Sequence, residues 1–249
     1  MRLLLLLISF TLCTTSHSQV LISLLLGDKL NSGKIEFGLD GGMNFSTQTG
    51  LATSDALRSF NLGFYFDFKM KESPWMIHTG VIVKSNLGAA GLPVYPLQSE
   101  DLNNAFVGGS VVRKLSYFNV PVLLKYNLKN HIYMEAGPQV GLLYKAFDEF
   151  NNTVNDHELV YKVDIRDQFH ALDAGVTFGA GYRFMKGNGM NFGVRYYLGL
   201  ADIMVNNTGN AVSNRSLYLT VGIPIGAGKA KEKAAKKTNP QTINSQIEK

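Results

Sequence analysis

The segment Lys129–Lys145 reads KNHIYMEAGPQVGLLYK and alternates with a period of two. One set of alternate residues is apolar, and the other set mixes glycine, amide and charged side chains. The apolar set is Ile132, Met134, Ala136, Pro138, Val140, Leu142 and Tyr144, and the second set is Tyr133, Glu135, Gly137, Gln139, Gly141, Leu143 and Lys145. Such alternation is typical of a β-strand whose two faces meet different surroundings. The run is far longer than the usual strand of roughly 5–6 residues in soluble proteins.

Seven further segments alternate in the same way, and the connections between them are alternately short and long. The eight segments cover about 35–46, 59–70, 75–85, 114–127, 129–145, 169–184, 190–201 and 216–225. The short turns are KESP, LKNH and MKGNG, and the long joints are about 47–58, 86–113, 147–168 and 204–215. This layout predicts an all-β fold, an eight-stranded antiparallel up-and-down transmembrane β-barrel over 35–225, with both ends on the short-turn, periplasmic side.

The two faces of each segment then have distinct roles. The apolar face meets lipid, where closure of the sheet satisfies every backbone hydrogen bond. The glycine and charge face lines a lumen only wide enough for side chains, where glycines make room for bulky neighbours. Aromatic residues near the segment ends are expected to form two interfacial girdles. The alternative is a soluble β-sandwich or a lipocalin-like barrel, whose apolar face packs inward; strand length and loop asymmetry favour the membrane.

The regions outside the barrel have different compositions. Residues 1–18 predict a secretory signal, with Arg2 before a short apolar core and a cleavage site before Gln19. Residues 19–34 predict a short amphipathic periplasmic segment, with a disordered leader as the alternative. Residues 226–249 form a Lys-rich tail that is expected in the periplasm.

Charge and cysteine content exclude several classes of protein. The formal net charge is +5, but the tail contributes +4, and residues 19–225 hold 17 basic and 17 acidic residues. Nucleic-acid binding needs a basic face, so it is not expected. Cys13 is the one cysteine and lies in the predicted signal, and Leu12 before it argues against a lipoprotein. Disulfides and thiolate metal sites are therefore excluded from the predicted mature chain.

Four stretches carry a family resemblance. They are YFNVPVLLKYNL (117–128), IYMEAGPQVGLLYKA (132–146), DAGVTFGAGYRF (173–184) and NFGVRYYLGLADI (191–203). They resemble the PorT-like outer-membrane β-barrel family of Bacteroidota over about 35–225. The resemblance implies the barrel fold and, because the family's namesake takes part in the type IX secretion system, an accessory role in protein secretion. It transfers no catalytic residues.

The alternation places a set of ionisable side chains in the lumen. They are the acids Glu36, Asp40, Asp67, Glu135 and Asp173, the bases Lys69, Lys84, Lys125, Lys145, Arg183 and Arg195, and His78. Buried charges persist only when they are paired. We therefore expect a structural salt-bridge network that plugs the barrel, with a charged pore as the alternative.

Catalytic, metal and cofactor sites are not expected. His170 falls on the lipid-facing set near the outer rim, where a lipid-A-modifying enzyme would need it, but no serine motif accompanies it. Asp148, Glu149, Asp156, His157 and Glu158 share one predicted loop and are interpreted as solvated. The expected partners are outer-membrane lipid and envelope or secretion-complex proteins, bound through the tail or the long loops, of which 87–110 is the longest.

Overall fold

The computed structural model describes residues 30–32, 34–51, 55–71, 73–187, 189–206 and 209–225. The predicted signal, most of the amphipathic segment and the Lys-rich tail lie outside these residues. The strands are β1 (Ile35–Thr49), β2 (Leu57–Lys69), β3 (Trp75–Lys84), β4 (Asn86–Leu92), β5 (Ser110–Asn127), β6 (Ile132–Val154), β7 (His157–Asp164), β8 (Leu172–Arg183), β9 (Asn191–Gly199) and β10 (Ser213–Pro224). Two short helices, α1 (Glu100–Ala105) and α2 (Phe184–Gly187), and a 3₁₀ turn (Arg166–Gln168) complete the described elements. No helix in the described ranges is long and apolar enough to cross a membrane.

Eight of the ten strands close into a ring. Each of β1, β2, β3, β5, β6, β8, β9 and β10 pairs antiparallel with its neighbours, and β1 pairs with β10 from Gly38↔Pro224 to Thr49↔Ser213. Tight connections join β2 to β3, β5 to β6 and β8 to β9 at one end, here called the short-turn end. The chain enters and leaves the ring at this same end. The predicted eight-stranded antiparallel barrel is therefore confirmed.

The side chains of β6 alternate between the two faces of the sheet as the sequence predicts. The apolar set from Ile132 to Tyr144 is exposed on the outside, with Met134 58 % and Leu142 49 % accessible. Of the second set, Tyr133, Glu135, Gln139 and Leu143 are buried inside the ring. The exterior is thus a continuous apolar surface, whereas the polar groups face the lumen.

Two lysines that the alternation places inside lie outside instead. On β3, Leu62 pairs with Lys84 and Gly63 with Ile82, so Val83 is an extra residue. On β6, Ser116 pairs with Lys145 and Tyr117 with Leu143, so Tyr144 is an extra residue. Each bulge shifts the alternation by one. Lys84 and Lys145 are consequently exposed, and their predicted place in the lumen is wrong.

The end opposite the short turns, here called the long-loop end, is more ordered than the four predicted long joints imply. Joint 86–113 contains β4 and α1, and joint 147–168 contains the end of β6 and all of β7. β4 pairs with β5, and β7 pairs with β6, so strands extend beyond the ring. The β6–β7 connection is Asn155-Asp156, both with positive φ, which is the conformation of a two-residue type I′ hairpin.

Glycines inside the ring make room for large lumen side chains. A Cβ on Gly181 would overlap the ring of Tyr133, and one on Gly38 would overlap the ring of Tyr65. Both tyrosines are fully buried. Glycines on the lumen face therefore leave space for large side chains of neighbouring strands, as the sequence predicts.

We expect Gly181→Ala to destabilise the barrel by about 1–3 kcal/mol, because the added methyl group overpacks against Tyr133. The control is Gly41→Ala, whose Cβ would lie 3.5 Å from Asn61 O and from Leu62 Cδ1, in ordinary contact. Urea unfolding of the barrel in lipid vesicles, followed by the fluorescence of the single tryptophan Trp75, measures both. Equal stability of the two variants would contradict this account.

Candidate functional site

The short-turn half of the lumen holds a network of buried charges. Arg195 donates from Nε to Glu135 and from Nη1 to Asp40, the latter at 2.7 Å. Lys125 Nζ lies 3.3 Å from Asp67 Oδ2 and 3.6 Å from Glu135 Oε2. Lys125 and Arg195 are thereby linked through a shared carboxylate, and both lie almost completely out of contact with solvent.

A second branch of the network reaches the rim. Arg183 pairs with Glu36 and lies 3.6 Å from Asp67 Oδ2. Lys69 Nζ approaches Glu36 Oε2 at 3.8 Å and remains partly exposed, so it closes the network at the short-turn end. The structure thus brings together four acids and four bases of the twelve predicted lumen residues, and it places His78 among them.

The geometry assigns the tautomer of His78. Its Nε2 lies 3.0 Å from Arg195 Nη2, and its Nδ1 lies 2.6 Å from Asp67 Oδ1. A guanidinium can only donate, so Nε2 accepts from Arg195 and Nδ1 donates to Asp67. His78 therefore bridges Arg195 and Asp67, with Lys125 Nζ 3.5 Å from its Nδ1, and the four acids and four bases balance without counting it.

Asp173 does not belong to this network, although the alternation correctly places it inside. Its Oδ2 accepts a hydrogen bond from Asn214 Nδ2 at 2.8 Å, and its carboxylate forms no ion pair among the described residues. Tyr117 and Tyr197 are buried close by. The prediction that Asp173 is salt-bridged is wrong, because the nearest lumen cations lie on strand positions closer to the short-turn end.

An apolar cluster closes the lumen above Asp173. It includes Leu87 and Leu115 from the strands, Ile165 beside the 3₁₀ turn, and Ile203 and Val212 from the β9–β10 connection, all nearly inaccessible to solvent. The lumen is therefore blocked by paired charges in one half and by apolar packing at the long-loop end.

Beyond the ring, β4, α1 and β7 pack with the ends of β5 (110–116) and β6 (146–154) to form a unit here called the platform. Its apolar core consists of Ala89, Leu92, Phe106, Val111 and Phe150. This small core gives the long-loop end a fixed shape, because β4 and β7 are held both by strand pairing and by apolar burial.

A buried ion pair joins the two long strands within the platform. Arg113 donates to both oxygens of Asp148, from Nε at 2.9 Å and from Nη2 at 2.7 Å. Tyr95 donates to the same carboxylate at 3.2 Å. Burial of the Tyr95 hydroxyl, together with the nearby Asp148 carboxylate, raises the pKa of Tyr95 to about 12.

A neighbouring ion pair involves Glu149, whose carboxylate contacts Lys114 and Lys162. Burial opposes the ionisation of Glu149, but the two lysines outweigh it and lower its pKa.

The sequence interpretation missed this pair because it treated both residues as parts of loops. Arg113 and Asp148 lie on strands that pair with each other directly. The available signal was the Asn155-Asp156 turn with alternating residues on each side. The predicted acidic loop is therefore wrong: Asp148 and Glu149 lie on β6, while His157 and Glu158 lie on β7.

The outer surface of the platform carries a recess and exposed apolar side chains. The recess of about 430 Å³ is lined by Gly108, Gly109, Ser110, Asn151, Asn152, Thr153, Glu158, Leu159 and Val160. Val107 is 73 % and Val160 56 % accessible, and both lie beside it. Exposed apolar residues outside the lipid-facing band suit protein contact.

The candidate enzyme and metal residues remain dispersed. His170 is exposed before β8, and its backbone N–H donates to Ile203 O. Within the described ranges its ring forms no hydrogen bond. Nor do the described residues contain a group of three or more His, Cys, Asp or Glu side chains arranged for a metal ion.

We expect Arg195→Leu to destabilise the barrel by about 3–5 kcal/mol, because it leaves the buried carboxylate of Asp40 without a cation and removes one of the two cations that contact Glu135. The control is Lys84→Leu, a base of the same predicted set that lies outside and forms no ion pair in the described structure. Urea midpoints in vesicles measure the difference. A similar loss of stability for both variants would show that the network does not hold the barrel together.

Comparison with known proteins identifies the family. The model of the family "Outer membrane protein beta-barrel domain" matches residues 23–205. No curated protein matches the chain. Among solved structures, Ail of Yersinia pestis is 13 % identical, with 77 % of this chain and 99 % of that chain covered and a TM-score of 0.39.

Two other barrels are similar at the same low level. OprG of Pseudomonas aeruginosa is 11 % identical, with 78 % of this chain and 95 % of that chain covered and a TM-score of 0.34. The outer membrane enzyme PagL is 14 % identical, with 77 % and 99 % covered and a TM-score of 0.23. The family match covers well over half of the sequence, and the closed ring with an apolar exterior agrees with it. The chain therefore belongs to the outer membrane protein beta-barrel domain family and is a protein of the outer membrane.

Proposed function

We propose that this protein is a non-enzymatic component of the cell envelope that binds protein partners through its platform. The observation that carries the proposal is the contrast between a blocked lumen and an ordered platform with its own apolar core. In this arrangement the barrel is an anchor, the short-turn end and the chain termini face the periplasm, and the apolar exterior contacts outer-membrane lipid.

The lumen supports an anchoring role rather than transport. Its charged groups are bonded to one another, as in the contacts of Arg195 with Asp40 and Glu135. Eight strands leave room only for side chains. A lumen filled in this way lends rigidity to the barrel and offers no continuous aqueous path.

The platform supports a role in partner binding. The Arg113–Asp148 pair and the Phe150 cluster fix its shape, so that binding would require little ordering of loops. Val107 and Val160 present apolar surface beside a polar recess. The resemblance to the PorT-like family suggests a protein-secretion complex of the envelope as the assembly that this surface joins.

The test is affinity purification of the tagged full-length protein from outer membranes in mild detergent, followed by mass spectrometry. We expect stoichiometric envelope proteins with the wild type and their loss with Val107→Gln/Val160→Gln, because this variant removes apolar contact area without touching the core. The control is Met185→Gln, another exposed apolar residue, 81 % accessible but at the short-turn end. Purification of the barrel alone, or equal recovery with the platform variant, would contradict the proposal.

A blocked lumen also predicts the electrical behaviour. The purified barrel inserted into planar bilayers should give no discrete single-channel steps beyond those of protein-free bilayers, because paired side chains fill its cross-section. Reproducible steps from correctly folded protein would support the channel alternative.

The enzyme alternative predicts that lipid A changes when His170 is replaced. We expect cells that carry His170→Ala to have the same lipid A as cells with the wild type, since the ring of His170 has no catalytic partner in the described structure.

A further inference from the structure

Four basic side chains face outward near the long-loop end of the apolar surface. They are Arg58 on β2, Lys84 on β3, Lys145 on β6 and Arg215 on β10, and all four are exposed. They are here called the basic collar. Each lies beside the last outward apolar residues of its strand on that side, so each sits where the apolar surface gives way to polar surroundings.

The collar residues are close to aromatic groups and to one another. Lys84 Nζ lies 5.9 Å from the centre of the Phe60 ring, and Arg58 is two residues before Phe60 on the same face. Arg58 pairs with Phe45, while Arg215 pairs with Thr47 on the same strand. Two strand spacings of about 4.8 Å, with an offset of two residues along β1, place the Cα atoms of Arg58 and Arg215 roughly 12 Å apart.

Two of the four residues reach the collar only through bulges. Without the extra residue Val83, Lys84 would face the lumen, and without the extra residue Tyr144, so would Lys145. Bulges commonly re-aim a side chain at sheet positions that serve a function. Here two independent bulges turn a lysine to the same outer surface.

The ring strands supply no exposed acid to pair with the collar. Among the described residues, the acids of the ring strands are buried, apart from Glu149 on the part of β6 in the platform, which Lys114 and Lys162 already bond. None of the four collar bases forms an ion pair with a described residue. By contrast, Arg113, Lys125 and Arg195 are all paired.

We propose that the basic collar binds the phosphate groups of anionic lipids in the membrane leaflet at the long-loop end. Exposed bases at the edge of an apolar band attract anionic head groups, and long basic side chains reach the head-group level while their stems stay apolar. This inference rests on the lipid contact stated in the proposed function and specifies which lipid groups are bound. It is independent of the platform's protein partner.

The test uses the full chain reconstituted in phosphatidylcholine vesicles that contain a trace of spin-labelled phosphatidic acid or spin-labelled phosphatidylcholine. Electron spin resonance gives the fraction of each label held at the protein surface. We expect the wild type to prefer phosphatidic acid at least about threefold. The quartet Arg58→Gln/Lys84→Gln/Lys145→Gln/Arg215→Gln should lower that ratio to about one at low salt.

The control is the charge-conserving quartet Arg58→Lys/Lys84→Arg/Lys145→Arg/Arg215→Lys, which should keep the preference. Folding of each variant is checked by its heat-dependent gel mobility, and the pair Arg58→Gln/Arg215→Gln replaces the quartet if that variant does not fold. No phosphatidic acid preference in the wild type, or an undiminished preference in the glutamine variants, would overturn the proposal. Because every protein keeps the Lys-rich tail, a contribution from the tail cancels in the comparison.

Discussion

Closure of the backbone hydrogen-bond ring between β1 and β10 is the constraint on which the rest of the structure depends. A sheet surrounded by hydrocarbon cannot leave an open edge, because an unpaired N–H or C=O group finds no water there. With eight strands, closure makes a lumen of side-chain width. Polar residues that alternate with the apolar ones are forced into this space, and each charge must find a partner inside it. The pairing of Arg195 with Asp40 and Glu135 is thus a consequence of ring size.

The same constraint separates charge between the two sides of the wall. The sequence from 19 to 225 has as many acids as bases, yet the lumen holds Glu36, Asp40, Asp67, Glu135 and Asp173 against four bases, one of them at the rim. Surplus basic residues therefore appear on the outside. The bulges at Val83 and Tyr144 increase this separation, because each moves one lysine outward while the strands continue without interruption. The segment 19–225, which is neutral in sum, thereby acquires an outward basic surface on the barrel wall.

The sequence predicts the ring well, since period-two alternation and turn length are local properties that each segment carries by itself. It predicts the contents of the lumen only in part. A single inserted residue leaves the composition of β3 or β6 unchanged but inverts the face of every residue beyond it, which is why Lys84 and Lys145 are misplaced. The contact of Arg195 with Asp40 spans 155 positions and depends on the stagger of all strands between them. No local pattern specifies that stagger, so the alternation could give the members of the network but not its pairs.

The platform follows from a different property of the same strands. β5 and β6 are 18 and 23 residues long, far beyond the roughly 9–11 residues that cross a bilayer. Their excess length must leave the apolar zone, where the backbone groups on their outer edges need new partners. β4 and β7 provide these partners on either side, and the Phe150 cluster covers one face of the resulting sheet. Overlong strands therefore turn the long-loop end into a rigid surface above a filled lumen, and this surface is the one to which the proposed partner binding is assigned.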